Sequence, residues 1–226
     1  MLATNRIATI CFHGIGTPER ELEPGEERFW IEPAMYEEIL DVIAAHPRPV
    51  DLTFDDANAS DFVYGLPGLL RRNMRAEFFV IGGRLGQPGS LSPDEVRELR
   101  DAGMVIGNHG LRHLPWREVP TLDELEEEVG ESARIIERET GIRPVNAACP
   151  RGSYDRRVLN LLRRHGYHRV YSVDEGTSRA GSWVRSRYSV IHSDTAESIR
   201  RRLDDPDGPW PDRMRRGAAQ TVKRWR

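Results

Sequence analysis

Two clusters in this 226-residue chain have the residue types and spacing for chemistry. The first is Leu52-Thr53-Phe54-Asp55-Asp56, where two adjacent aspartates end an otherwise apolar run. Neighbouring side chains of a strand point to opposite faces, but where the chain turns at the strand's end both can reach one mouth. Two carboxylates that close repel each other unless they share a proton or a cation. The second cluster is Gly107-Asn108-His109-Gly110-Leu111-Arg112-His113. Histidines four apart reach one side of a helical turn or tight loop, the spacing that lets both bind one metal. Each cluster alone has an ordinary reading, since aspartates are common in turns and a lone H-x-x-x-H arises by chance. Together they offer two histidines and a carboxylate. Three such ligands leave positions open for water and substrate, as catalytic zinc and non-haem iron require. A second carboxylate left off the metal then takes a proton from the activated water.

The elements around these clusters must bring them to one place. Short apolar runs predict strands over 6–12, 49–54, 76–81, 104–107, 145–149, 169–173 and 183–191. Amphipathic stretches predict helices over 33–45, 61–73, 92–102, 121–140, 155–165 and 194–203. Two of these helices open on capping boxes, Ser92 with Glu95 and Thr121 with Glu124. Gly103, Gly141 and Gly166 close three of them. About seven strands alternating with helices predict an α/β fold with a parallel sheet. The chemistry lies just after strands, which favours a single-domain distorted (β/α) barrel of about seven parallel strands over an open sheet. In such a barrel the site sits at the C-terminal ends of the strands. His13 ends the first strand and is expected there, lining the site or touching substrate. The acidic run 124–131 falls on a helix and is expected to be a solvated face.

Composition excludes some classes of function. The net charge of -3 gives no reason to expect a nucleic-acid partner. No run approaches the roughly 20 apolar residues of a membrane span. The apolar run at residues 7–12 is too short for a secretory signal, so a cytoplasmic chain is expected. Cys11 and Cys149 lack metal-type spacing and are expected to be buried thiols. Residues 1–203 are expected to form the catalytic domain, and 204–226 a basic tail or docking helix.

The motifs resemble those of the polysaccharide deacetylase family, also called the NodB-homology or carbohydrate esterase family 4 group. Thr53-Phe54-Asp55-Asp56 is similar to the first motif, T-F-D-D-G, with Ala57 in place of the glycine. His109-Gly110-Leu111-Arg112-His113 is similar to the second, H-[S/T]-x-x-H, with Gly110 in place of the hydroxyl residue. By this resemblance Asp55 is the general base, and Asp56, His109 and His113 hold one divalent metal ion: zinc first, with cobalt, nickel or iron also suited. Pro150-Arg151-Gly152 is similar to the P-Y-G of the third motif, which implies substrate or oxyanion contacts near Pro150 and Gly152. Arg151 stands where an aromatic residue is usual, and the motif's upstream arginine is absent. His192, in Val190-Ile191-His192, is similar to the histidine of the L-x-H motif, the family's usual general acid, without the leucine. The resemblance covers roughly residues 6 to 203. It implies a metal-dependent hydrolase that removes N-acetyl groups from an amino sugar or polysaccharide of N-acetylglucosamine type. The departures leave two alternatives: a degenerate sugar-binding member, or a hydrolase of a non-sugar amide.

Overall fold

The computed structural model describes residues 6–208 together with Thr221 and Lys223. Most of the tail expected over 204–226 lies outside the described residues. In chain order, β1 (Arg6–Phe12) leads to a short parallel pair, β2 (Gly14–Ile15) and β3 (Trp30–Ile31), and then to α1 (Pro33–Ala44). Next, β4 (Val50–Phe54) runs into a π-helical turn at Asp61–Gly65 and α2 (Leu66–Arg71). β5 (Glu77–Val80) is followed by α3 (Pro93–Asp101), and β6 (Val105–Asn108) by α4 (Leu122–Glu126) and α5 (Ser132–Thr140). β7 (Asn146–Ala148), α6 (Arg156–Arg164) and β8 (Arg169–Tyr171) complete the regular alternation. Three short strands, β9 (Ser178–Arg179), β10 (Val184–Arg185) and β11 (Tyr188–Ser189), precede α7 (Ala196–Asp204).

The main sheet runs β10-β8-β7-β6-β5-β4-β1-β11, all neighbours parallel, with β9 antiparallel on β1. The stretch expected as one strand over 183–191 is split. Its first half pairs with β8 and its second with β1. Only Ser186 and Arg187 separate the halves, so the chain itself joins the two ends of the ladder. The result is the expected distorted (β/α) barrel, nearly closed, with the seam at Arg187.

Strand periodicity divides the apolar residues between two cores. Phe12, Phe54 and Phe78 point outward: Phe54 stacks on Phe78 with ring centroids 4.5 Å apart, and Phe12 lies tilted against Phe54 at 5.3 Å. They pack with Ile39 and Leu40 of α1 and Leu69 of α2. The alternate residues Phe79, Ala148 and Tyr171 point inward and fill the barrel beneath its mouth. Gly107 of β6 makes room there, because a Cβ at that position would lie 2.4 Å from the Phe79 ring. The capping boxes at Ser92 and Thr121 form as expected. The helix expected over 121–140 is interrupted by a π-helical turn at Glu127–Glu131 and closes at Gly141, φ +71°. Cys11 and Cys149 are free and buried. Among the described residues no helix is long and apolar enough to cross a membrane.

Candidate active site

Asp55 and Asp56 lie just past β4, and strand alternation alone would separate them. The backbone resolves this by turning into the left-handed region at Asp56, φ +76°, and Ala57, φ +54°. That conformation explains why a glycine is the usual residue at the position of Ala57. Both carboxylates are buried at the barrel mouth, 1% and 2% exposed. His109 follows β6, and its backbone N–H donates to the Val80 carbonyl. His113 lies in the loop beyond, itself at φ +61°.

The donor atoms converge. His109 Nε2 is 3.6 Å from Asp56 Oδ1, and His113 Nε2 is 3.4 Å from the same oxygen. Ligand bonds of about 2.0–2.1 Å at tetrahedral angles set donor atoms about 3.4 Å apart. Asp56 Oδ1 is buried and has no hydrogen-bond partner among the described residues. An unpartnered buried carboxylate oxygen facing two imidazole nitrogens fits a divalent cation. The histidines are also set in the right tautomer. His109 Nδ1 lies 2.9 Å from the Ala148 carbonyl, and His113 Nδ1 lies 2.8 Å from Glu23 Oε2. Each Nδ1–H donates to its oxygen, which leaves Nε2 with its lone pair toward Asp56. Burial pulls the His109 ring down to about 4, so it is neutral at neutral pH and free to ligate.

Asp55 is held by a residue that sequence reasoning missed. Arg187, fully buried at the barrel seam, donates through Nη1 to Asp55 Oδ1 at 2.6 Å and through Nη2 to Oδ2 at 2.7 Å. Its guanidinium also reaches Thr53 Oγ1 and the Ser172 carbonyl, and faces the Phe79 and Tyr171 rings. Burial pushes the Asp55 carboxyl up, but Arg187, with His109 beside it, outweighs this and holds it well below the usual carboxylate range. The arginine absent from the third motif is thus matched in charge by one from the far end of the chain. Arg185 and Arg187 alternate within an otherwise strand-like run, which was the available signal.

The remaining expected residues separate. His13 is in the site: its Nε2 is 4.0 Å from Asp55 Oδ2, and its ring stacks on Phe29 at 4.7 Å. His192 is not brought in. It is exposed, its backbone N–H donates to the Arg28 carbonyl, and the neighbours Tyr188, Ser189 and Ile191 line the cavity instead. Pro150 and Gly152 are buried behind Arg151, which does line the cavity and donates to Glu23 Oε2 at 2.7 Å. The amides of Gly152 and Ser153 are engaged within the turn, on the carbonyls of Cys149 and Pro150. The acidic run is not wholly solvated either. Glu128 is fully buried in the π-helical turn, where it accepts from the backbone and side chain of Arg112 and anchors the loop between the two histidines. The cavity above these groups is about 580 Å³, with His13, Asp55, Asp56, His109 and His113 on one side and Phe29, Arg151, Tyr188 and Ile191 around it.

Comparison with known proteins gives a consistent picture. A family model described as polysaccharide deacetylase matches residues 43–170. The peptidoglycan-N-acetylmuramic acid deacetylase PdaA of Bacillus subtilis is 25% identical over 130 residues, 55% of this chain and 46% of that protein. The peptidoglycan-N-acetylglucosamine deacetylase PgdA of Listeria monocytogenes is 29% identical over 116 residues, 51% of this chain and 24% of that one. The chain therefore spans half or less of the length of these two relatives. In fold it is similar to the Streptococcus pyogenes deacetylase PplD, solved with acetate, at a TM-score of 0.76 and 18% identity, covering 88% of this chain and 98% of that one.

Proposed function

Because the chain belongs to the polysaccharide deacetylase family, we propose that it hydrolyses the N-acetyl group of an amino sugar of N-acetylglucosamine type, with a divalent metal ion. The observation that carries this reading is the pairing of two units at one cavity: Asp56 with His109 and His113, and Asp55 with Arg187. Two imidazoles and a carboxylate suit zinc first, and cobalt, nickel or iron as well. Such an ion polarises the acyl oxygen and lowers the pKa of water to about 7.

The chain's own groups do the proton work. Arg187 keeps Asp55 ionised and fixes its plane, and Asp55 Oδ2, which also faces His109 and His13, takes a proton from the attacking water. The water oxygen bonds to the acetyl carbon, and the C–N bond then breaks as the leaving nitrogen gains a proton. His13 is better placed than His192 to give that proton, since it lies partly buried beside Asp55 within the cavity. In this reading the oxyanion contact falls to the Arg151 amide, in the loop whose Arg151 side chain lines the cavity. Acetate and a free amine result. The missing third-motif arginine and the unmatched fifth-motif histidine motivate the non-catalytic binder, and Arg187 beside Asp55 weighs against the first of these.

The test is Asp55→Asn assayed on N-acetylglucosamine oligomers. Acetate release should fall by roughly 10²–10⁴-fold while metal content stays at the wild-type level. A variant that keeps its activity would show that Asp55 is not the base. Wild-type protein that binds metal but deacetylates no sugar would favour the non-sugar amide or the binder.

A further inference from the structure

The two histidines that face Asp56 are held by different means. His109 Nδ1 is fixed by the Ala148 carbonyl, part of the barrel wall. His113 has no such support: it sits in a loop, in the left-handed region, and the group on its Nδ1 is the Glu23 carboxylate at 2.8 Å. Glu23 belongs to the segment between Ile15 and Glu27, which has no helix or strand. That segment crosses the barrel mouth and is tied down by Arg20, which pairs with Glu26 and donates to Asn58 Oδ1 at 3.0 Å. Three loops reach up to the one carboxylate. Arg84 comes from the turn after β5, His113 from the loop after β6, and Arg151 from the loop after β7. Glu23, Pro24, Gly25 and Phe29 then form part of the cavity wall.

We infer that Glu23 is a positioning residue for the metal site: it orients His113 from the cavity wall and thereby couples metal affinity to the seating of that wall. This rests on the metal reading of Asp56, His109 and His113 given above. A carboxylate on Nδ1–H fixes the tautomer and the ring plane and raises the basicity of Nε2. For a ligand on a loop, that support replaces the rigidity a strand would give. The competing role is a plain loop anchor, in which Glu23 matters only through its arginines.

The experiment measures zinc and cobalt dissociation constants by chelator competition, with the visible spectrum of the cobalt-loaded protein as a second readout. The proteins are wild type, Asp56→Ala, Glu23→Ala, Glu23→Gln and Arg151→Met. Removal of such a support costs roughly 10–100-fold in metal affinity. Glu23→Ala should show that loss and a changed cobalt spectrum. Glu23→Gln, whose amide oxygen still accepts from Nδ1–H, should recover much of it and keeps the comparison open if the alanine variant fails to fold. Arg151→Met, which removes an anchor of Glu23 but leaves its bond to His113, should bind nearly as wild type. Wild-type affinity in both Glu23 variants would overturn the inference while leaving the metal site intact. Equal losses in Arg151→Met and Glu23→Ala would also overturn it, in favour of the loop anchor. Wild type that takes up no divalent ion, or Asp56→Ala that binds as tightly, would overturn the metal reading and this inference with it.

Discussion

Asp55 works with both of its oxygens already on a guanidinium. That arrangement trades basicity for order. A fully buried carboxylate alone would take up a proton, and Arg187 prevents this while fixing the carboxylate plane. What remains is a lone pair on Oδ2, in the direction of His109 and His13. The role of His13 can be separated from simple packing by the leaving group. An amine must be protonated to depart, whereas a 4-nitrophenolate leaves without help. His13→Asn should therefore lower release of acetate from an N-acetyl sugar by roughly 10²–10⁴-fold but spare hydrolysis of 4-nitrophenyl acetate. Equal losses on the amide and the activated ester would remove His13 from the acid role.

At the scale of elements, what the sequence made legible was whatever repeats within one segment. Short apolar runs marked β1, β4, β5 and β6, and the capping boxes marked the starts of α3 and α4. The ends of β4 and β6 then located both clusters of the candidate site. Contacts between distant segments were not legible. Arg187 meets Asp55 across 132 positions, and Glu23 meets His113 across 90. The run 183–191 read as one strand because nothing local reveals that its halves pair with opposite ends of a closing sheet. Glu128 read as solvated because a π-helical turn, which rotates it inward, leaves no pattern in a row of glutamates. Gly107 shows how one strand position reaches the site. An added methyl would collide with Phe79, whose ring touches Tyr171 and underlies Arg187. Gly107→Ala should cost about 1–3 kcal/mol in denaturant unfolding. It should also lower acetate release by disturbing the Arg187–Asp55 pair. Unchanged stability together with unchanged activity would mean that the barrel interior absorbs the methyl elsewhere.

The barrel as a whole carries a buried acid at the opposite end from its chemistry. Glu77, the first residue of β5, points inward beneath Phe79 and is 6% exposed. Burial pushes its carboxyl up to about 7, against the pull of Asn146, Tyr171, Arg169 and Arg187. The unfolded chain loses this proton near 4.5, and the folded chain keeps it until about 7. Between those values the folded state binds more protons, so this residue's contribution to stability falls as pH rises. Above 7 the penalty is complete, on the order of 3 kcal/mol for a shift of this size. Asp61 is shifted the same way by burial, whereas the two aspartates of the site work in the opposite sense. Asp55 and Asp56 are held below their ordinary range and lose stability only as the pH drops below the ordinary carboxylate value. The total curve therefore mixes both signs, and the informative quantity is a difference. Glu77→Gln keeps the shape of the protonated acid and cannot ionise. Its stability relative to wild type should rise steadily from pH 4.5 to 7 and then level off, as read by urea unfolding at each pH. A difference that stays constant over that interval would mean that Glu77 is ionised in the folded barrel, with its charge carried by the arginines around it.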